Sequence, residues 1–260
     1  MNTRAQTKPP GPTLSRPKPA GPGTKPGRRR RTLRWLALLA GATLAAGVAG
    51  WVTTPAVSSA EQRTARILSP HGGEDSLSLP QPDRVGTAVV ATEDSRFYRH
   101  HGIDAIAVLR AAWSAMTSTA DPGGATLDVQ LAKVLYGEAG GGPVGKAQQF
   151  LLGLKLDRTY TKTQVLELYL NAVYYGHGFY GINAASHGYF GRAPAELSWA
   201  QASLLAGLLQ APSSDDPLLH LPQAKARQGY VLDRLVQTGQ LLADQARAAA
   251  TEPLQLTPAA

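Results

Sequence analysis

The sequence predicts a mainly α-helical protein in which one membrane-spanning helix precedes a globular domain. Two observations lead to this prediction. A run without charged residues covers positions 35–60, and Ile106, Leu109, Trp113 and Met116 recur at spacings of three and four residues. That spacing places the four side chains on one face of a helix. The sequence shows no series of alternating apolar and polar residues of the kind that would predict a sheet.

The positive charge of the chain is confined to its first segment. The formal net charge of the 260 residues is +8. Residues 1–34 hold ten Lys and Arg and no acid, so the remaining sixteen basic and eighteen acidic residues give −2. This segment is rich in Pro and poor in large aliphatic residues, and we predict that it is a disordered cytoplasmic tail. Because the folded part is not basic, a nucleic-acid-binding domain is not indicated.

Residues 35–52 are the most apolar part of the chain and are predicted to form a transmembrane helix. Their length approaches the ~20 residues that cross a bilayer, and Trp35 and Trp51 stand where interfacial aromatic residues usually lie. The arginines before the run predict a cytoplasmic N-terminus and an extracytoplasmic domain at the cell membrane. The alternative is a signal peptide cleaved near Ala56–Ala60. The long basic segment favours an uncleaved signal anchor.

The rest of the chain is predicted to contain a linker, one domain and a tail. Residues 53–80 are rich in Thr, Ser, Pro and Gly and read as a stalk, and residues 81–242 read as the globular domain. Residues 243–260 read as a C-terminal tail. A short extended piece is predicted near Val85–Ala91. Helices are predicted at 145–158, 162–174, 194–209 and 222–238, with Thr161 as the N-cap of the second.

The segment EDSRFYRHHGID, which begins at Glu93, concentrates acidic, basic and His side chains. It follows the apolar stretch Ala88–Ala91. A carboxylate that emerges from an apolar stretch suits general acid or base catalysis, because burial raises carboxyl pKa values toward neutrality. The alternative is a helix start at which acids favour the macrodipole. His100 and His101 do not predict a metal site, because adjacent residues point in different directions and HExxH is absent. The absence of Cys excludes disulfides and thiolate-ligated metals.

Two later segments also offer polar side chains. In GGATLDVQLAK the glycines permit close backbone approach, and Thr126 and Gln130 offer neutral hydrogen bonds. Glu167 and Asn171 lie four residues apart and therefore share a helix face. The apolar neighbours of Glu167 favour a buried functional role. The alternative in both cases is an ordinary helix.

These segments together resemble the motifs of glycosyltransferase family 51, the peptidoglycan glycosyltransferases. Family members occur as monofunctional enzymes and in class A penicillin-binding proteins. EDSRFYRHHGID is similar to the family's E-D-x-x-F-x-x-H-x-G, and GGATLDVQLAK is similar to G-G-S-T-I-T-Q-Q-L-x-K. Lys146 matches the Lys of R-K-x-x-E, and the segment that begins YTKTQVLELYLN resembles the family's last long motif. The resemblance covers residues 84–217, with the motifs in order.

The resemblance implies the family's lysozyme-like, two-lobed α-helical fold and its reaction. In that reaction the C4 hydroxyl of an acceptor sugar displaces undecaprenyl pyrophosphate from lipid II, with inversion. The implied catalytic residues are Glu93, acting as the base, and Glu167. The implied substrate-binding residues are Asp94, Thr126, Gln130, Lys133, Lys146, Arg158 and Asn171. Three of them, Lys133, Lys146 and Arg158, suit the charge of the departing pyrophosphate.

The resemblance also implies partners and a cofactor. The partners are lipid II, the growing glycan chain, the membrane, and transpeptidases or other proteins of cell-wall biogenesis and cell shape. No nucleic acid is expected. The implied cofactor is a divalent cation, Mg²⁺ or Mn²⁺, at the pyrophosphate, and no protein metal site is predicted.

The sequence departs from the family pattern at positions that bear on the donor site. Asp128 replaces a Thr, Gly145 replaces an Arg, and Gln149 replaces a Glu. Loss of a guanidinium removes a bidentate phosphate contact, and Asp128 is expected to add negative charge near the pyrophosphate. The main interpretation is therefore an active enzyme of reduced rate. Two alternatives stay open, a catalytically degenerate scaffold for wall synthesis and a lysozyme-like lytic enzyme.

Overall fold

The computed structural model describes residues 26–71, 83–110, 125–137 and 142–257. These residues are mainly helical, as predicted, and show isolated β-bridges but no strand. Residues 105–110 are helical, whereas Trp113 and Met116 lie outside the described residues. The helices with defined ends are α1 (Pro26–Thr53), α2 (Ala60–Leu68), α3 (Arg84–Glu93), α4 (Leu127–Tyr136), α5 (Pro143–Thr159), α6 (Lys162–Ala172), α7 (Ile182–Phe190), α8 (Trp199–Leu208), α9 (Leu221–Gln237) and α10 (Ala243–Thr251).

Helix α1 contains the predicted apolar segment. The stretch Thr32–Thr53 is 22 residues long, its most apolar 18-residue window has a mean hydropathy of 1.7, and none of that window is buried within the protein. The helix begins at Pro26 rather than at Trp35, so residues 26–34 are helical although the sequence assigned them to the tail. Pro is favoured in the first turn of a helix and Arg is a good helix former, which explains the earlier start. The chain divides into a unit that ends at Ala49 and a unit that begins at Gly50.

Two segments assigned to a stalk and a tail belong to the folded second unit. In α2, Ala60, Thr64 and Leu68 are buried at helical spacing, and α2 packs on α6. Helix α10 packs on α9 and buries Ala246 and Ala249. Both helices are short, and their apolar faces become evident only against a packing partner, because tertiary contacts supply most helical stability.

Helix α3 replaces the extended piece predicted near Val85–Ala91, and that prediction was wrong. The carboxylate of Asp83 accepts a hydrogen bond from the N–H of Gly86 at 2.6 Å and caps the helix. Val85, Ala88 and Val89 are fully buried. The β-branched run therefore reflects burial in a helix rather than a strand, an ambiguity that short apolar segments carry.

The second unit is built around α8, in which every residue from Ala200 to Leu208 is buried. Helices α3, α9 and α10 pack on α8, while α4, α5 and α6 pack on one another. Gly153 of α5 lets the α4 backbone approach, since a Cβ there would lie 2.9 Å from Val129 Cγ2. The predicted N-cap of α6 is confirmed, because the Thr161 hydroxyl accepts from the N–H of Gln164.

Candidate active site

A cavity of about 520 Å³ opens where the end of α3, the start of α4 and the side of α9 meet. Four of the predicted site residues line it, namely Glu93, Asp94, Thr126 and Gln130. Glu93 is the last residue of α3, and Thr126 is the N-cap of α4. Two helix ends that are distant in sequence thus present their polar side chains to one volume.

Glu93 is held by a chain of two hydrogen bonds. The amide Nε2 of Gln130 donates to Oε2 of Glu93 at 3.2 Å, and the hydroxyl of Tyr169 donates to Oε1 of Gln130 at 2.8 Å. Burial and the nearby Glu93 carboxylate raise the pKa of Tyr169, so its hydroxyl keeps its proton and remains a donor. The carboxylate is thereby oriented by a fixed amide while remaining only partly buried.

Asp94 fixes the backbone next to Glu93. Its Oδ2 accepts from the backbone N–H of Leu127 at 3.0 Å and lies 2.9 Å from Nε2 of His100. The hydroxyl of Thr126 donates to the carbonyl of Gly102 at 2.6 Å. Gly102 has φ of +73°, and a Cβ there would lie 3.0 Å from the Cα of Leu154, so this position requires glycine. The first motif is therefore tied directly to the start of α4.

Four arginines line the cavity, and no sequence motif predicted a site role for any of them. They are Arg96, Arg110, Arg227 and Arg234. Arg227 and Arg234 lie seven residues apart on α9, which places them on one face of that helix. The guanidinium of Arg227 lies 4.9 Å from the ring centre of Tyr230, which also lines the cavity. The seven-residue spacing of the two arginines indicates a shared helix face in the sequence. No local motif connects α9 with Glu93, so the spacing alone does not assign these arginines to the site.

Arg96 is partly neutralised within the cavity. Its Nε lies 2.9 Å from Oδ2 of Asp104. Burial opposes ionisation of Asp104, but the N–H groups of Ile106 and Ala107 and the Arg96 guanidinium outweigh it and lower its pKa. Arg110 and the two arginines of α9 also line the cavity and add positive charge to its wall.

Glu167 is not among the described residues that line this cavity. Burial, followed by repulsion from Asp83, raises the pKa of Glu167. Asp83 caps the start of α3, whereas Glu93 ends it ten residues later, a helical rise of about 15 Å. Among the described residues, the lining of the cavity at Glu93 thus does not include Glu167, and its catalytic role stays a prediction.

The predicted pyrophosphate residues lie outside the cavity lining. Lys133 is exposed one turn after Gln130 on α4, and Lys146 is exposed near the start of α5. The guanidinium of Arg158 lies 4.9 Å from the ring centre of Trp51, at the end of α1. Asn171 is buried in α6. Of these, Lys133 is the best placed to extend the polar surface that Gln130 begins.

Asp128 does not add charge to the cavity, contrary to expectation. Its side chain is fully buried, and Oδ2 lies 2.9 Å from Nζ of Lys162. The same ammonium lies 2.7 Å from Asp157 Oδ1. Burial raises the pKa of Asp128, and Lys162 opposes that shift. The negative charge at position 128 is thus paired with Lys162, which is close in space although it lies 34 residues away in the sequence.

The described lining does not fit a divalent cation held next to a pyrophosphate. Its carboxylates are Glu93, Asp94 and Asp104. Glu93 accepts from Gln130 and Asp104 pairs with Arg96, whereas Asp94 accepts from the backbone N–H of Leu127 and lies beside the buried His100. Arginines, rather than a pair of available carboxylates, face the centre. The described lining is therefore suited to bind anionic groups through its arginines, without a bridging cation.

Comparisons with known proteins show which family this chain is similar to. A family model described as transglycosylase matches residues 75–236. A protein of Cupriavidus necator described as a transglycosylase is 37% identical over 175 residues, covering 67% of this chain and 76% of that protein. Penicillin-binding protein 1A of Aquifex aeolicus is 40% identical over 174 residues, covering 66% of this chain and 24% of that protein.

A solved structure is also similar to this chain. It is penicillin-binding protein 1A from Haemophilus influenzae, with a TM-score of 0.42 and 22% identity over 71% of this chain and 19% of that chain. The present chain therefore spans about a quarter or less of the penicillin-binding proteins it matches.

Proposed function

Because the chain belongs to the transglycosylase family, we propose that it is a membrane-anchored peptidoglycan glycosyltransferase that polymerises lipid II. The observation that carries this proposal is the placement of Glu93. Its oriented carboxylate lies on the wall of a cavity that also holds the guanidinium groups of Arg227 and Arg234. A base opposite anion-binding groups is what transfer of a sugar from a pyrophosphate donor requires.

Glu93 is proposed to act as the general base. Its carboxylate takes the proton from the C4 hydroxyl of the acceptor sugar, and the hydroxyl oxygen forms a bond to the anomeric carbon of the donor. The bond from that carbon to the pyrophosphate oxygen breaks, and undecaprenyl pyrophosphate leaves with the electron pair. Gln130 holds the carboxylate in one orientation, so that the base need not reorient during the reaction.

The charge of the substrate phosphates is proposed to be met by side chains from two helices. Arg227 and Arg234 of α9 face the cavity, and Lys133 of α4 lies one turn beyond Gln130. Guanidinium groups bind phosphate oxygens in pairs, and Lys supplies a point charge. A divalent cation is not needed to place these contacts, and no step is assigned to it.

Membrane anchoring through α1 fits a lipid-linked substrate. The apolar stretch Thr32–Thr53 is long enough to cross a bilayer. At its end, Trp51 contacts the charged groups of Lys155 and Arg158. Trp and basic residues are typical of a membrane–water interface. We propose that these side chains lie near the lipid headgroups, with the second unit outside the cytoplasm.

The experiment that tests the function uses the full chain in detergent with purified lipid II. Polymeric glycan and release of undecaprenyl pyrophosphate are expected. If lipid II is not consumed while the protein still binds a wall-synthesis partner, the degenerate scaffold is favoured. Release of soluble muropeptides from purified sacculi, without polymer formation, would favour the lytic enzyme. Either of these two results overturns the proposal.

A further inference from the structure

Three buried side chains that can ligate a metal meet at the wall of the cavity, to which Asp94 contributes. Asp94 follows α3, His100 follows a short turn of 3₁₀ helix, and Asp128 lies in the first turn of α4. One donor atom of each lies within 4.8 Å of the others. Their side chains are 5%, 4% and 0% exposed, respectively. Because these side chains are so deeply buried, the cluster is not an acidic surface exposed to solvent, and its burial requires another explanation.

Two polar atoms of this cluster have no hydrogen-bond partner among the described residues. They are Nδ1 of His100 and Oδ1 of Asp128, and both are buried. A buried polar atom without a partner costs about 1–3 kcal/mol, so native structures rarely leave two in one cluster. Their remaining atoms, Nε2 of His100 and Oδ2 of Asp128, face Asp94 and Lys162. A ligand bound within the cluster would account for both atoms.

The charge of the cluster points to a cation. Three carboxylates, those of Asp94, Asp128 and Asp157, are each at most 9% exposed. The cation within hydrogen-bonding distance of this group is Lys162, which contacts Asp128 and Asp157. The cluster thus holds more carboxylates than ammonium groups, and buried charges are ordinarily paired or bound to a metal.

We propose that Asp94, His100 and Asp128 bind a divalent transition-metal ion, Zn²⁺ or Mn²⁺. One imidazole and two carboxylates form a donor set that suits both ions. Ligands at about 2.1 Å from one ion lie between about 3.0 and 4.2 Å apart, so the observed separations need only small side-chain movements.

The site is structural, and it does not depend on the proposed function. It joins the end of α3 to the start of α4, the two elements that carry Glu93 and Gln130. The bound ion fixes the turn between Asp94 and His100 from behind. Of its three ligands Asp94 alone lines the described cavity, and the proposed ion is structural rather than a cation held at a pyrophosphate.

The experiment measures metal bound to the full chain without an affinity tag. The protein in detergent is stripped with a chelator and dialysed against Zn²⁺, Mn²⁺ or Mg²⁺, and the metal content is measured after gel filtration. We expect about one Zn²⁺ or Mn²⁺ per chain, and a higher thermal unfolding temperature than in the stripped protein. Retention of less than a tenth of an equivalent, with an unfolding temperature that metal and chelator leave unchanged, overturns the proposal.

Matched variants assign the site. Asp128→Asn and His100→Gln should lose the ion. Asp244→Asn and His101→Gln should retain it, because those side chains are 87% and 97% exposed. Equal metal content in Asp128→Asn and wild type would exclude this location. If a cluster variant does not fold, absorption of the Co²⁺-loaded wild type between 500 and 650 nm decides, since a buried site of nitrogen and oxygen ligands gives visible bands and a solvated ion gives almost none.

Discussion

Oε2 of Glu93 and Nε2 of Gln130 lie 3.2 Å apart, across the junction of α3 and α4. The glutamine keeps this position because its carbonyl Oε1 accepts the hydroxyl of Tyr169 from α6. The two bonds also fix the orientation of the amide, since a flipped amide would place two acceptors or two donors face to face. Three helices therefore determine where the candidate base points.

Replacing Glu93 by Gln should remove the base while keeping its shape. General base catalysis contributes about 10²–10⁴-fold, and we expect a loss of that size in the initial rate of lipid II consumption. Glu252→Gln changes an exposed carboxylate in the same way and should retain the wild-type rate. Undiminished polymerisation by Glu93→Gln would remove this residue from the mechanism.

Replacing Tyr169 by Phe should show whether its hydroxyl positions Gln130 for catalysis or only stabilises the fold. The variant loses the donor to Gln130, and the rate constant kcat should fall by about tenfold, equivalent to ~1.4 kcal/mol. Tyr175→Phe is the matched control, because its buried hydroxyl donates to the carbonyl of Leu170 and not toward the cavity. Both variants should lose about 1 kcal/mol in urea unfolding, whereas only Tyr169→Phe should lose activity. Equal activities would show that the hydrogen bond to Gln130 is structural.

Replacing Arg227 or Arg234 by Gln should weaken substrate binding. A charge-assisted hydrogen bond is worth about 1.5–3 kcal/mol, so the KM for lipid II should rise by roughly 10–100-fold. Arg192→Gln changes an exposed arginine that does not line the described cavity, and it should leave KM unchanged. Steady-state kinetics over a range of lipid II concentrations measure the change. A fall in kcat with constant KM would contradict a binding role.

Replacing Lys162 by Met should destabilise the fold strongly. The ammonium is 18% exposed and contacts two buried carboxylates, and its loss leaves both without that partner. Breaking a buried ion pair costs about 3–5 kcal/mol in the free energy of unfolding, measurable with urea. Arg247→Met removes a pair whose side chains are 73% and 87% exposed, and it should cost less than about 1 kcal/mol. Similar losses in both variants would show that the Lys162 contacts are not buried in solution.

Replacing Glu167 by Gln should change stability with pH. Burial and Asp83 raise the pKa of Glu167 above its unfolded value, so its ionised form destabilises the fold at pH above the folded-state pKa. This cost disappears as the pH falls below the unfolded pKa of about 4.3. The variant should therefore be more stable than wild type at pH 7–8, with a difference that shrinks toward pH 4.

The same variant also tests the predicted catalytic role of Glu167. Since Glu167 is absent from the described cavity lining, the rate of lipid II polymerisation should remain near wild type. Loss of that rate without any pH-dependent change in unfolding would instead support catalysis.

Local motifs predicted part of the site, and distant packing determined the rest. Glu93, Asp94, Thr126 and Gln130 lie in two short segments whose residue types indicate their chemistry, and they do meet. Arg227 could not be placed this way, because its position depends on how α9 packs on α8 and α3. The role of Asp128 was also misjudged, since its counter-ion comes from α6.

The predicted helices follow the same distinction. The helix that begins after Thr161 carries its own capping signal, and the structure confirms it. The Val85–Ala91 stretch was read as extended, because an apolar run buried on several sides has no periodicity that reveals its structure. Ala60–Leu68 and Ala243–Thr251 lack enough apolar residues to show a helix in isolation, and they are stabilised by the neighbours they cover.

The burial of Ala200–Leu208 in α8 has a consequence for how the candidate site can change by mutation. Helix α3, which ends in Glu93, and helix α9, which bears Arg227 and Arg234, both pack on α8. At Gly207 a methyl group would come within 3.2 Å of the Arg227 backbone. The close approach of α9 to α8 therefore depends on Gly207, a small residue in the interior. Substitutions at the surface are not expected to change this approach, because α8 is buried from Ala200 to Leu208.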